Sequence, residues 1–158
     1  MKIETKVIIG GAIFTVLLLI GAIFLLSREE KVNVPEDQII SRKGIHWHPR
    51  LTVLIKGEKQ EIPADFGVGG VHLPIHTHAT DNKQGVLHME MSGLVTKDET
   101  KLGKWFQLWG KEFNSNKLFD KTNGSDGTVK MMVNGQENNE FENYFMKDGD
   151  IIEIKYEQ

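Results

Sequence analysis

The sequence predicts a mostly β, α+β chain, with an antiparallel sheet domain covered by one helix and a single transmembrane helix ahead of it. Three observations predict this. Short runs rich in β-branched residues recur between turn signals from Ile45 onward, one segment alone has helical periodicity, and an uncharged stretch of twenty residues runs from Val7 to Leu26.

The uncharged stretch comes first. A helix of that length extends about 30 Å, the thickness of a bilayer's hydrocarbon core. A cleaved signal peptide carries a shorter apolar region and a small-residue cleavage site. Phe24-Leu25-Leu26-Ser27-Arg28 offers no such site, and the chain has no cysteine for a lipid anchor. The expectation is an uncleaved signal anchor over residues 1–27, its transmembrane helix at 7–26. Lys2 and Lys6 outweigh Glu4, whereas Arg28-Glu29-Glu30-Lys31 is balanced. That bias predicts a single-pass protein of the cell membrane, its N-terminus cytoplasmic and its C-terminal domain outside.

Residues 28–44 are expected to form a juxtamembrane linker. Within it, Pro35-Glu36-Asp37 opens a short helix that Gly44 ends. An extracytoplasmic His-rich β domain then occupies 45–158. Leu51–Lys56 is a strand, Gly57-Glu58 a turn, and Lys59–Ile62 a returning strand stopped by Pro63. Ala64–Gly70 is a Gly-rich loop. Leu73–Thr80 and Gly85–Leu94 are two strands around the polar turn Asp81-Asn82-Lys83-Gln84.

Leu102, Trp105, Phe106 and Trp109 recur at helical spacing, with Thr100 as the expected cap and Gly110 as the stop. Their apolar stripe is expected to cover the sheet rather than to stack a ligand. Asn114–Gly127 is a polar loop and Thr128–Val133 a strand. Asn134-Gly135 and Asp148-Gly149-Asp150 are turns, and Ile151–Tyr156 is a last alternating strand. The similar outlines of LTVLIKGEKQEIP and VKMMVNGQENNEF are read as two ordinary hairpins.

Composition narrows the function. The net charge is −3, and residues 1–27 hold two lysines and one glutamate, so the remainder carries −4. A mildly acidic domain is a poor partner for nucleic acid. Without cysteine, the domain folds without disulfides and cannot hold a blue-copper centre.

The chemistry-bearing signal is histidine. All six, His46, His48, His72, His76, His78 and His88, lie between residues 46 and 88. They fall as His46-Trp47-His48, His76-Thr77-His78 and His88-Met89-Glu90. Residues i and i+2 of a strand share a face, so each pair points one way. A hairpin centred on Lys83 would set His78 opposite His88 and His76 opposite Glu90. Directly opposed residues have Cβ atoms about 4.5–5.5 Å apart, within reach of one metal ion. His46, His48, His76, His78, His88 and Glu90 are the candidate ligands. Imidazole with a carboxylate suits a Zn or Cu ion, whereas Ca²⁺ would ask for oxygen. His72 stands outside the pairs. Met89 and Met91 alternate with His88 and Glu90 and are expected on the buried face. A pH sensor would also cluster histidines.

HWHPRLTVLIKG, PIHTHATDNKQGVLHME, LGKWFQLWGK and VNGQENNEFENYFMKDGDIIEI, spread over residues 44–157, carry a further signal. Together they resemble a group of membrane-anchored or secreted prokaryotic proteins of unassigned function. The group shares an H-x-H start, an HTH…G-V-x-H-x-E core, an LG-x-(W/F)-F-x-x-WGK helix and a VNG…DGD-x-I ending. The resemblance implies that His46, His48, His76, His78, His88 and Glu90 belong to the family pattern, and it implies no activity.

The expected function is therefore a membrane-anchored, extracytoplasmic metal-binding protein that stores, senses or delivers zinc or copper. A metal-dependent hydrolase with Glu90 as general base is one alternative. It lacks support from any G-x-S-x-G, H-E-x-x-H or acid-pair signature. A non-catalytic adhesion or assembly module, with histidines that only stabilise the fold, is the other.

Overall fold

The computed structural model describes residues 2–26 and 33–158. Two units are distinguished, Met1–Asn33 and Val34–Gln158. Ser27 and residues 28–32, where the expected anchor ends and the linker begins, lie outside the described residues.

The first unit is the helix α1, Ile3–Leu26, 24 residues long. Its described side chains are exposed, among them Ile13, Phe14, Leu17 and Ile20. Among the described residues no helix is long and apolar enough to cross a membrane.

The second unit is mostly β with antiparallel pairing, an α+β arrangement. A short 3-10 turn at Glu36–Gln38 follows Pro35 and leads into β1, Ile39–Ser41. Then come β2 (Ile45–Trp47), β3 (Arg50–Ile55), β4 (Glu58–Lys59), β5 (Ile75–His76), β6 (His88–Met91) and β7 (Val95–Thr96). Helix α2 spans Leu102–Trp109. The strands β8 (Phe113–Asn114), β9 (Lys117–Leu118) and β10 (Lys121–Thr122) precede β11 (Thr128–Val133), β12 (Gln136–Glu137) and β13 (Ile151–Glu157).

The main sheet has the order β12-β11-β13-β3-β4. Its inner face is built by alternation: Leu51 and Val53 from β3, Val129, Met131 and Val133 from β11, and Ile152, Ile154 and Tyr156 from β13 are buried. The register aligns them in rows, Val53 beside Ile154 and Ile154 beside Met131. Both hairpins close on two-residue turns whose residues have positive φ, Lys56-Gly57 (51° and 85°) and Asn134-Gly135 (52° and 79°). The pair β13–β3 is parallel, the one departure from the expected antiparallel sheet. A parallel pair needs a long crossover. The chain between these strands supplies it with α2, β11, β12 and the histidine-bearing strands β5 and β6.

Leu102, Trp105 and Phe106 of α2 join the same core, so the helix stripe covers the sheet as expected. Gly110 ends α2 at φ 71°. The cap differs from expectation. Thr100 hydrogen-bonds back to the Lys97 carbonyl, and the reciprocal cap lies one turn earlier, on the 3-10 turn Lys97–Thr100. There the Thr96 backbone N–H donates to Glu99 Oε2 at 2.7 Å, the S/T-x-x-E pattern that Thr96 and Glu99 form in sequence.

Three further elements depart from expectation. The expected helix before Gly44 stops at Gln38, because Ile39–Ser41 pairs with β7. The polar stretch 114–127 holds two strands of a small sheet, β9 and β10, which the Gly and Asn content conceals. The strand expected at Leu73–Thr80 narrows to Ile75–His76. Beyond it Thr77 is fully buried and turned away from the ladder. Its N–H donates to Phe66 O at 3.0 Å and its hydroxyl to Pro63 O at 2.6 Å.

Gly85 ties this region to the core sheet. Its carbonyl accepts the Leu51 N–H at 2.8 Å. It sits at φ +79°, and an added Cβ would lie 2.1 Å from the Leu51 carbonyl oxygen. Both a left-handed φ and a backbone clash oppose any side chain. Gly85→Ala is expected to destabilise the domain by about 2 kcal/mol or more in urea unfolding.

Candidate metal centre

The histidines gather on a second sheet of order β2-β6-β5. His46 is in β2, His76 in β5 and His88 in β6, the central strand. His48 and His78 follow their strands by one and two residues. The hairpin is not centred where the sequence suggests. His76, not His78, pairs with His88, and Glu90 pairs with His46 across β2. The cause is the truncated β5, whose chain leaves the ladder at Thr77. It returns through a 3-10 turn, Asn82–Gln84, started by the Asn82 N–H bond to His78 O at 2.9 Å. The shift is two residues, so it keeps every histidine on its expected face.

The rings form one continuous row. Neighbouring centroids are 4.7 Å apart for His46–His48, 4.9 Å for His48–His88, 4.5 Å for His88–His78, 5.0 Å for His78–His76 and 4.9 Å for His76–His72. Three groups each bring one donor atom per residue to within 4.8 Å of the others: His46, His48 and His88; His76, His78 and His88; and His72, His76 and Glu90. Every candidate ligand therefore belongs to a group. His72, which the pair spacing does not select, joins one as well. Its only sequence signal is its place four residues before His76.

His76 is the fully buried ring of this row. The loop from Ala64 covers it closely, since a Cβ on Gly67 would lie 3.1 Å from the His76 Cβ. Nδ1 donates to the Leu73 carbonyl at 2.9 Å. Nε2 is buried and has no hydrogen-bond partner among the described residues. A buried imidazole lone pair without a partner is costly, and a metal ion would satisfy it. Burial pushes the His76 imidazole below its ordinary value. The Leu73 hydrogen bond and Glu90 oppose this, while His78 and His72 add to it. The ring is thus held neutral, the form that ligates.

Carboxylates surround the row. His88 Nε2 donates to Asp81 Oδ2 at 2.9 Å, which leaves Nδ1 as its lone-pair nitrogen. The His48 N–H donates to Asp148 Oδ1 at 2.8 Å, and His46 Nε2 lies 3.1 Å from Glu90 Oε1. Asp148 is placed by the turn that ends at Asp150. Buried Asp150 accepts from Tyr144 Oη at 2.7 Å and from the Lys147 N–H at 2.8 Å. That bond and burial raise the Tyr144 hydroxyl, burial contributing most. Sequence reading missed Asp81 and Asp148 because both sit in turns, where an aspartate is ordinary. Met89 is buried in the core, as expected, and Met91 is partly buried.

Carboxylate-to-histidine bonds of this kind orient ligands, and losing one costs roughly 10–100-fold in metal affinity. Asp81→Asn is expected to weaken Zn²⁺ binding within that range, measured by competition with a chromogenic chelator.

The buried apolar residues around Trp105 do not extend the site. Trp105 packs edge-on against Phe66 at 5.6 Å and beside Trp109 at 5.7 Å, and it presents no stacking surface. Comparison of the chain with known protein families, curated proteins and solved structures finds no match.

Proposed function

We propose that the chain is a membrane-anchored, extracytoplasmic protein that binds Zn or Cu through its histidine row and stores, senses or delivers the ion. One observation carries the reading: the buried His76 ring, with Nδ1 fixed by a carbonyl and Nε2 unpartnered beside His78 and His88. A histidine kept only for stability would have both nitrogens satisfied or exposed. The anchor is residues 7–26, and the lysine bias at Lys2 and Lys6 sets the domain outside. The resemblance to membrane-anchored and secreted prokaryotic proteins agrees with this location.

The full chain in detergent micelles tests the reading by equilibrium dialysis against Zn²⁺ and Cu²⁺. Wild type is expected to retain one of these ions more tightly than a variant carrying His76→Ala and His78→Ala. Equal retention by the two would end the proposal.

Binding is also expected to depend on pH. Protons compete for imidazoles whose ordinary value is about 6.5, so affinity falls below that pH. The metal-free domain follows the same sign. His76 titrates lower when folded than when unfolded, so the unfolded chain binds the proton first. Stability is full above about pH 6.5 and declines as pH falls toward the folded value, which urea midpoints across pH 4.5–8 would record.

A second reading has one supporting observation. His76, His78 and His88 supply three donors, the number a catalytic zinc keeps beside its water. A hydrolytic enzyme would use Glu90 as base. Hydrolysis of model esters by the Zn²⁺-loaded chain, lost in Glu90→Gln with the metal retained, would favour it.

A further inference from the structure

The three donor groups overlap in a specific way. His88 belongs both to the group with His46 and His48 and to the group with His76 and His78. His76 belongs to that second group and to the one with His72 and Glu90. His46, His48, His72 and His78 each belong to one group alone.

A ring can serve two ions only by giving one nitrogen to each. Here both shared rings have one nitrogen already committed. His76 Nδ1 is bonded to the Leu73 carbonyl at 2.9 Å, and His88 Nε2 to the Asp81 carboxylate at 2.9 Å. Each neutral ring therefore keeps a single lone pair. His76 and His88 can each hold one ion at a time.

Resting on the metal-binding reading above, we propose that the histidine row is an exchange ladder with two mutually exclusive fillings: one ion at the central group His76, His78 and His88, or two ions at the outer groups. The two outer groups share no residue, so they fill together. The centre shares a ring with each of them, so filling either outer group dismantles it.

Burial orders the fillings. The centre contains the fully buried His76 and the half-buried His78 and His88, whereas the outer groups end in exposed His46 and His72. A scarce ion settles at the centre, where both shared rings are oriented. An abundant ion enters at an exposed end, takes His88 or His76, and pushes the resident ion toward the other end. Asp81, Asp148 and Glu90 supply negative charge along the row for the two-ion filling. Such a ladder shifts its ion from the centre to an exposed outer group when a second arrives, which suits transfer better than storage.

Zn²⁺ titration of the full chain in detergent micelles tests this, with stoichiometry at saturation as the readout. Wild type is expected to bind one ion tightly and reach two at excess. His46→Ala and His72→Ala alter exposed residues, so folding is not at risk. Each is expected to keep the tight first ion and stop at one, because the remaining groups share a ring. His78→Ala, with His78→Asn as a second variant, is expected to lose the tight phase and still reach two. In wild type, excess Zn²⁺ is expected to speed release of a preloaded isotopically labelled ion.

Two ions on His46→Ala or His72→Ala, or three on wild type, would show independent sites and overturn the ladder. A wild type that saturates at one ion would overturn the ladder and leave the metal-binding reading standing. No bound ion in any form would overturn both.

Discussion

His76→Ala is expected to lower Zn²⁺ or Cu²⁺ affinity by more than the roughly 10–100-fold that loss of an outer partner costs. The substitution removes a buried, unpartnered ring nitrogen on the ring beside His78 and His88, and it removes a donor from two groups at once. His46, His48 and His88 remain, and all three are bonded to or beside a carboxylate. Thermal unfolding offers an independent readout. An ion at 100 times its dissociation constant stabilises the folded state by about 2.7 kcal/mol. Wild type is expected to show that gain on addition of metal, and His76→Ala almost none at the same free concentration. An equal gain in both would place the ion elsewhere.

Trp105→Ala is expected to have the largest effect on stability. The indole is fully buried between α2 and the main sheet, in a cluster with Leu102, Phe106 and the Gly-rich loop's Phe66. Truncating a buried tryptophan costs about 3–5 kcal/mol, against a total stability of about 5–15 kcal/mol for a domain. The cavity also undermines Phe66, whose carbonyl accepts the Thr77 N–H at 3.0 Å beside His76. Metal affinity is therefore expected to fall together with stability. Trp105→Phe keeps most of the packing and removes an indole N–H that is buried without a partner among the described residues. It is expected to cost under about 1.5 kcal/mol. Urea unfolding of the three forms, followed by circular dichroism, checks the order.

These two residues mark what was legible in the sequence. Trp105 was readable because a helix repeats its buried face every three to four residues, and Leu102, Trp105 and Phe106 keep that spacing. Met131 and Ile154 were readable for the matching reason in strands. The parallel pairing of β3 with β13 was not, since strands separated by so long a crossover carry no local mark of each other. The strands β8–β10, two residues each, are too short to show a period. At the site, the pairs His46/His48 and His76/His78 were legible through face parity, which survived a register shift of two. The shift itself came from Thr77, whose bonds to Pro63 and Phe66 join segments over ten residues apart. His72, Asp81 and the Leu73 carbonyl were illegible for the same reason. Each acts through the fold of the connecting loops and not through spacing along a strand.

The central claim is that the histidine row holds a metal ion, and elemental analysis of the full chain tests it most directly. The protein would be extracted in detergent without chelator and compared with the variant carrying both His76→Ala and His78→Ala. The expected result is zinc or copper at one ion per chain or more in wild type, and a level near background in the variant. Background levels of both metals in wild type, unchanged after incubation with either ion, would contradict it.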